Sequence, residues 1–193
     1  MSTSASRETE EFLAFCEAAR KITTRAEIYF EEVPAPQRLA PHAVAFSVDV
    51  SNDPSLEDSD IATGRFVMLY DPAGQEAWNG NFRAVTFVRS AIEADLQSDP
   101  LLTDVAWSWV SESLETASAD FTSPSGTVTR VSSASYGQLS EKELSSELEI
   151  RASWTPINPK NLLNHLSAWL TLIETVSGLT PIPEGVSSLR SRR

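Results

Sequence analysis

Residues 64–90, GRFVMLYDPAGQEAWNGNFRAVTFVRS, decide how this chain folds. Two apolar runs within it, 66–70 and 82–88, are rich in β-branched and aromatic residues and read as strands. The polar stretch between them carries its own turn chemistry. Asp71-Pro72-Ala73-Gly74 has Asp at the first position, Pro at the second and Gly at the fourth, the pattern of a type I turn. Asn79-Gly80 supplies a pair suited to positive φ, as a tight hairpin requires. The connection over 71–81 is longer than the roughly 2–5 residues a hairpin usually needs. Gln75, Glu76 and Trp78 lie in it, two polar groups and a large ring expected at the surface. A site, if the chain has one, is expected here first.

The flanking sequence extends the pattern in both directions. In 42–50, Val44, Phe46, Val48 and Val50 alternate with other residues and read as a half-buried strand. The prolines of PAPQRLAP (34–41) stop another strand over 25–33 and keep the following loop extended. Before that, Phe12, Phe15, Cys16, Ala19 and Ile22 recur at helical spacing. Ser6 is placed to cap this helix, with Glu8, Glu10 and Glu11 in the first turn, where the helix dipole favours negative charge. Residues 1–6 are small and polar and are expected to be disordered. The segment 51–60, SNDPSLEDSD, is an acidic loop.

Towards the C-terminus, Asp99-Pro100 is a cap and first-turn proline for a helix reaching about residue 117. Val105, Ala106, Trp109, Val110 and Leu114 are its expected inner stripe, with Trp107 pointing away. After a loop over 118–126, the runs 127–135 and 148–155 read as two further strands joined by GQLSEKELSS. Asn158-Pro159 opens the last helix, whose stripe is Leu162, Leu163, Leu166, Trp169, Leu170, Ile173 and Val176. A proline-rich, then basic, tail covers 181–193. The order α-β-β-β-β-α-β-β-α, with strands grouped apart from helices, predicts a single α+β domain over 7–180. Short connections between strands predict one antiparallel sheet of about six strands with three helices packed on one face.

Composition narrows the function classes. A chain of 193 residues suits one domain, and 41% hydrophobic with 22% charged residues is globular in character. The net charge of −12 opposes direct nucleic-acid binding, because phosphates are repelled. The single cysteine, Cys16, excludes an internal disulfide and a thiolate metal cluster, and its place on a helix stripe makes it a small core residue. No apolar run reaches the ~20 residues a membrane helix needs, and the N-terminus has no secretion signal, so a cytoplasmic protein is expected.

Catalytic chemistry leaves little trace. The two histidines, His42 and His165, stand apart from any nucleophile pattern and are read as structural or solvated. Motifs for a P-loop, a dinucleotide fold, a zinc protease or a nucleophile elbow do not occur, so no catalytic residue, metal or cofactor is assigned. Asp71 and Glu76 are the only carboxylates singled out, and turn chemistry already accounts for Asp71. Arginine is more informative: Arg65, Arg83, Arg89, Arg130 and Arg151 fall in or beside strands of an acidic chain. A guanidinium fork binds carboxylate or phosphate. If the last two strands pair about their loop, Arg130 and Arg151 lie opposite each other, with Glu149 as the acid between them. Among five tryptophans, Trp109, Trp154 and Trp169 fit apolar faces, whereas Trp78 and Trp107 do not.

Several strings together resemble one family: PAPQRLAP (34–41), GRFVMLYDPAGQEAWNGNFR (64–83), DPLL (99–102), WSW (107–109), GTVTR (126–130) and LEIRASWTP (148–156). They are similar to the actinobacterial domain of unknown function 3000 family, over nearly the whole chain from about Glu11. The resemblance implies a cytoplasmic bacterial protein and transfers no catalytic residue. It also implies a ribonuclease D-like exonuclease as a partner. The leading expectation is a non-enzymatic interaction or adaptor domain, acting through Arg38, Asp71, Gln75, Glu76 and Trp78. The alternative is a site for an anionic small molecule, binding or enzymatic, that uses the strand arginines Arg83, Arg130 and Arg151. A flat patch with exposed Trp78 favours the first; a pocket lined by those arginines favours the second.

Overall fold

Period-two alternation produces a sheet with two unlike faces, and that difference organises everything else. The computed structural model describes residues 2–52, 60–92, 96–139 and 145–180. The strands are β1 (Ile28–Val33), β2 (His42–Ser51), β3 (Asp60–Gln75), β4 (Gly80–Ala91), β5 (Phe121–Ser133) and β6 (Ser145–Pro156). All neighbours run antiparallel, in the order β1-β2-β3-β4-β6-β5. Among the described residues the helices are α1 (Ser2–Ala19), α2 (Leu102–Thr116) and α3 (Leu162–Val176), which gives the expected α+β order.

Even-numbered residues of β2, β3, β4 and β6 face the helices. Phe46, Phe66, Met68, Tyr70, Ala84, Val88, Ile150 and Trp154 are buried there, against Phe15, Val110, Leu166 and Trp169 from the helices. Such dense apolar burial, at roughly 25 cal/mol per Å² removed from water, is the main stabilising term. α3 sits over β3 and β4, and α2 over β5 and β6. Asn158 accepts a hydrogen bond from Lys160 N at 3.1 Å, and the cap opens a 3-10 turn, Pro159–Asn161, that runs into α3. Cys16 is buried in this core, and burial pushes its thiol up to about 11.

Odd-numbered residues form the second face, and only part of it is covered. Ala45, Val67 and Leu69 make a smaller apolar cluster there, packed with Ala35 and Ala40 of the 34–41 loop and with Trp78. Gln75 fastens the loop to the hairpin by donating to Leu39 O at 3.2 Å and Asp71 Oδ2 at 3.1 Å. The rest of the face, over β4, β6 and β5, carries no second layer among the described residues.

Several details differ from the expectations. α1 begins at Ser2, ahead of Ser6, because no Gly or Pro interrupts the run before the apolar stripe. The connection 71–81 is mostly strand: β3 continues to Gln75, which pairs with Gly80, and only a 3-10 turn, Glu76–Trp78, and Asn79 intervene. Asn79 alone takes positive φ there, 56°, while Gly74 takes 73° in the earlier turn. Val105 is 44% exposed, and the inner stripe of α2 is Leu102, Ala106, Val110, Ser113 and Leu114. Trp107 packs over β5 at Gly126, where an added Cβ would lie 2.7 Å from its ring and 2.2 Å from Arg151 O. β5 starts at Phe121, earlier than expected, and bends at a bulge between Thr122 and Ser125. The tail, 181–193, and most of the acidic loop, 53–59, lie outside the described residues.

Candidate functional site

The register of the uncovered face sets out a site row by row. Arg65 pairs with Phe87, Phe87 with Arg151, and Arg151 with Thr127, so these four form one line across the strands. The next line is Val67, Val85, Ser153 and Ser125. Together they floor an open groove of about 440 Å³ that reaches from β3 to the β5 edge. Its centre is apolar. Its ends carry guanidinium groups and hydroxyls.

Arg83 does not line the groove but lies behind its Ser125 and Ser153, with a residue exposure of 7%. Its Nη1 donates to Ser123 O at 2.9 Å and Thr155 Oγ1 at 3.0 Å. Nη2 donates to Ser125 Oγ at 3.0 Å and Ser153 Oγ at 2.7 Å. All four acceptors are uncharged. Burial pulls this guanidinium below its ordinary range, the signature of a cation desolvated without a carboxylate beside it. Thr155 in turn donates to Trp78 O, so Arg83 also ties the β3–β4 hairpin to β6.

The hydroxyl bookkeeping gives the groove its chemistry. Ser125 Oγ and Ser153 Oγ both accept from Arg83 and lie 3.2 Å apart. One of the two donates to the other, which leaves one O–H of the pair to offer elsewhere. Both residues line the groove, so that proton can face its open space. Arg151 stands at the rim, with its Cζ 5.0 Å from the Phe87 ring centroid and an ion pair to Glu149 at 2.8 Å. Arg65 donates to Pro34 O at 2.6 Å, anchoring the 34–41 loop beside the groove. Among the described residues, no histidine or carboxylate lines the groove.

The residues singled out in the sequence separate into three groups. Arg151 lines the groove, and Arg83 lies behind its Ser125–Ser153 pair. Arg130 does not: it pairs with Leu148 rather than facing Arg151, so it sits on the helix side. There it donates to Gln97 O at 2.9 Å and Asp99 O at 3.2 Å. The expected juxtaposition failed because the β5–β6 register places Thr127, not Arg130, opposite Arg151. Glu149 does pair with Arg151, two residues along the same face. Asp71, Gln75 and Trp78 hold the hairpin and its cover, Asp71 Oδ1 accepting from Ala73 N at 3.0 Å. Trp78 is half-buried; Glu76 and Arg38 are exposed.

Sequence reasoning missed Ser125, Ser153 and Phe87. Alternation in β6 already put Arg151 and Ser153 opposite the apolar Ile150, Ala152 and Trp154. Pairing register, which brings in β4 and β5, was the lacking information. The sequence pattern of a family described as protein of unknown function, DUF3000, matches residues 8–187. The chain belongs to the DUF3000 family. No curated protein and no solved structure matches it. Among the described residues no helix is long and apolar enough to cross a membrane, and no His, Cys, Asp and Glu cluster is placed to hold a metal ion.

His42 and His165 lie elsewhere. His42 stacks on Tyr70 with ring centroids 5.4 Å apart. His165 is fully buried and accepts from Trp154 Nε1 at 3.0 Å through Nδ1, which places its own proton on Nε2. Burial lowers its pKa to about 4.

Proposed function

We propose that this protein is a binding module whose open sheet face takes an anionic group, carboxylate or phosphate, carried on an apolar body. The observation that carries the proposal is Arg83: a buried cation whose acceptors are neutral hydroxyls and a carbonyl, two of those hydroxyls opening into the groove. A buried charge costs free energy unless compensated. An anion seated on the Ser125–Ser153 pair compensates it through one hydroxyl layer. Arg151 supplies a second, direct contact at the rim, and Val67, Val85 and Phe87 take the apolar part. With a net charge of −12 the overall field opposes an anion, so binding rests on the local donors of the groove.

A protein-interaction role is the second reading. It is favoured by the groove being open and ending on an edge strand, which admits an acidic side chain on an extended segment. A cytoplasmic setting belongs to the same proposal and is supported by the lone buried thiol of Cys16.

Three probes are titrated calorimetrically: 1-naphthoate and its near-isosteric neutral amide 1-naphthamide separate charge from shape, and 1-naphthyl phosphate supplies the second anion. One of the two anions should bind at one site per chain, at least ~10-fold tighter than the amide, since charged hydrogen bonds contribute about 1.5–3 kcal/mol. Arg151→Gln and Ser153→Ala should each weaken it by ~10-fold. Equal binding of all three probes, or indifference to both substitutions, contradicts the proposal.

A further inference from the structure

The two edges of the sheet are built differently. β1 is six residues long and guarded by charge: Glu31 and Glu32 lie on it, and Glu32 is paired with Arg20 at 2.6 Å. Arg25 and Glu27 pair at 2.9 Å just ahead of it. β5, the opposite edge, is thirteen residues long and, among the described residues, bonded to β6 alone. Pro124 and the bulge bend only its start, with Ser123 at φ 51°. From Ser125 to Ser133 the register with β6 is unbroken, and Arg130 is the single charge. Thr127 and Thr129 are exposed along it. Proteins normally blunt an edge of this length with lysine, acid, proline or a bulge, because its outer backbone groups are a template for another strand.

We propose that β5 pairs with β5 of a second copy of this chain, antiparallel about a two-fold axis through Thr129. This inference is independent of the groove ligand. Thr129 is the midpoint of the unbroken run, so this register uses all of it. It sets Thr127 against Val131 and Val128 against Arg130, and no like charges meet. That matters in a chain of net charge −12, where most other surfaces repel a second copy. The axis stands normal to the sheet, so both copies keep their helices on the same side. The partner's Val131 then closes the mouth of the groove beside Thr127. Both strands are already extended and ordered in the monomer, so pairing orders little that was free.

Sedimentation velocity at micromolar and at ~100 µM protein tests the assignment. The wild type should form a dimer. Thr129→Lys and Thr129→Glu each oppose their own copy across the axis and should sediment as monomers with unchanged circular dichroism. Mixed in equal amounts, they should recover a dimer, because lysine then meets glutamate. A wild type that stays monomeric at the higher concentration overturns the assignment, as does a dimer that both substitutions leave intact. Two monomeric variants that do not associate when mixed overturn it as well. Hydrogen exchange on the wild type gives an answer without substitution: amides of 125–133 should be more protected at high concentration than at low, and equal protection contradicts the pairing.

Discussion

Arg83 and His165 are both ionisable groups held out of water, and the fold treats them in opposite ways. The guanidinium stays charged and is surrounded by oxygens; the imidazole stays neutral among rings. For His165 the sign of the pH effect follows directly. Its folded value of about 4 is below the ordinary 6.5, so the unfolded chain binds the proton more tightly. The contribution is complete above about pH 6.5 and is lost as pH falls through the window down to about 4. A shift of that size corresponds to about 3 kcal/mol between the two ends. The imidazole Hε1 resonance of His165 should therefore show no titration between pH 8 and ~5. A midpoint near the ordinary value would place the ring in contact with solvent. The sequence showed a histidine beside a leucine stripe. It did not show Trp154, eleven residues earlier, arriving from a strand to donate to it.

At the scale of elements, the β3–β4 hairpin and the 34–41 loop act together as a lid on one half of the sheet's second face. Gln75, Asp71 and Leu39 O lock the two pieces, and Trp78 fills the space between them and Val67. The two strands and the positive φ of Asn79 were legible in 64–90, because alternation and turn chemistry are local, whereas the strand character of 71–75 was not. Whether Trp78 stands up or lies down was not legible, since it depends on Ala45 and Leu69 exposing an apolar patch beneath it. Trp78→Ala should accordingly lower stability by about 1–3 kcal/mol in urea denaturation, through lost packing. It should leave probe binding within ~3-fold of wild type, since the ring is outside the groove. An unchanged unfolding midpoint would return Trp78 to the role of an exposed anchor. Gly126 makes a similar point for β5: a glycine in a strand is read as weakness, yet here it admits Trp107 and the Arg151 carbonyl at close range.

For the whole molecule, element order and one-sided helices follow from hydrophobic period alone, and the sheet matches them. What a single sequence leaves open is register, and register decided the site. Arg130 and Arg151 look equivalent along the chain; the β5–β6 pairing sends one under the helices' side and the other to the open face. Ser125 and Ser153 have no distinguishing sequence feature until Arg83 is placed behind them. Amide chemical shifts mapped during titration with 1-naphthoate and 1-naphthyl phosphate test whether the open face is where an anion is bound. The expected shifts cluster on Phe87, Ser125, Thr127, Arg151 and Ser153. Shifts gathered instead on Arg38, Glu76 and Trp78, or spread without a centre, would contradict it.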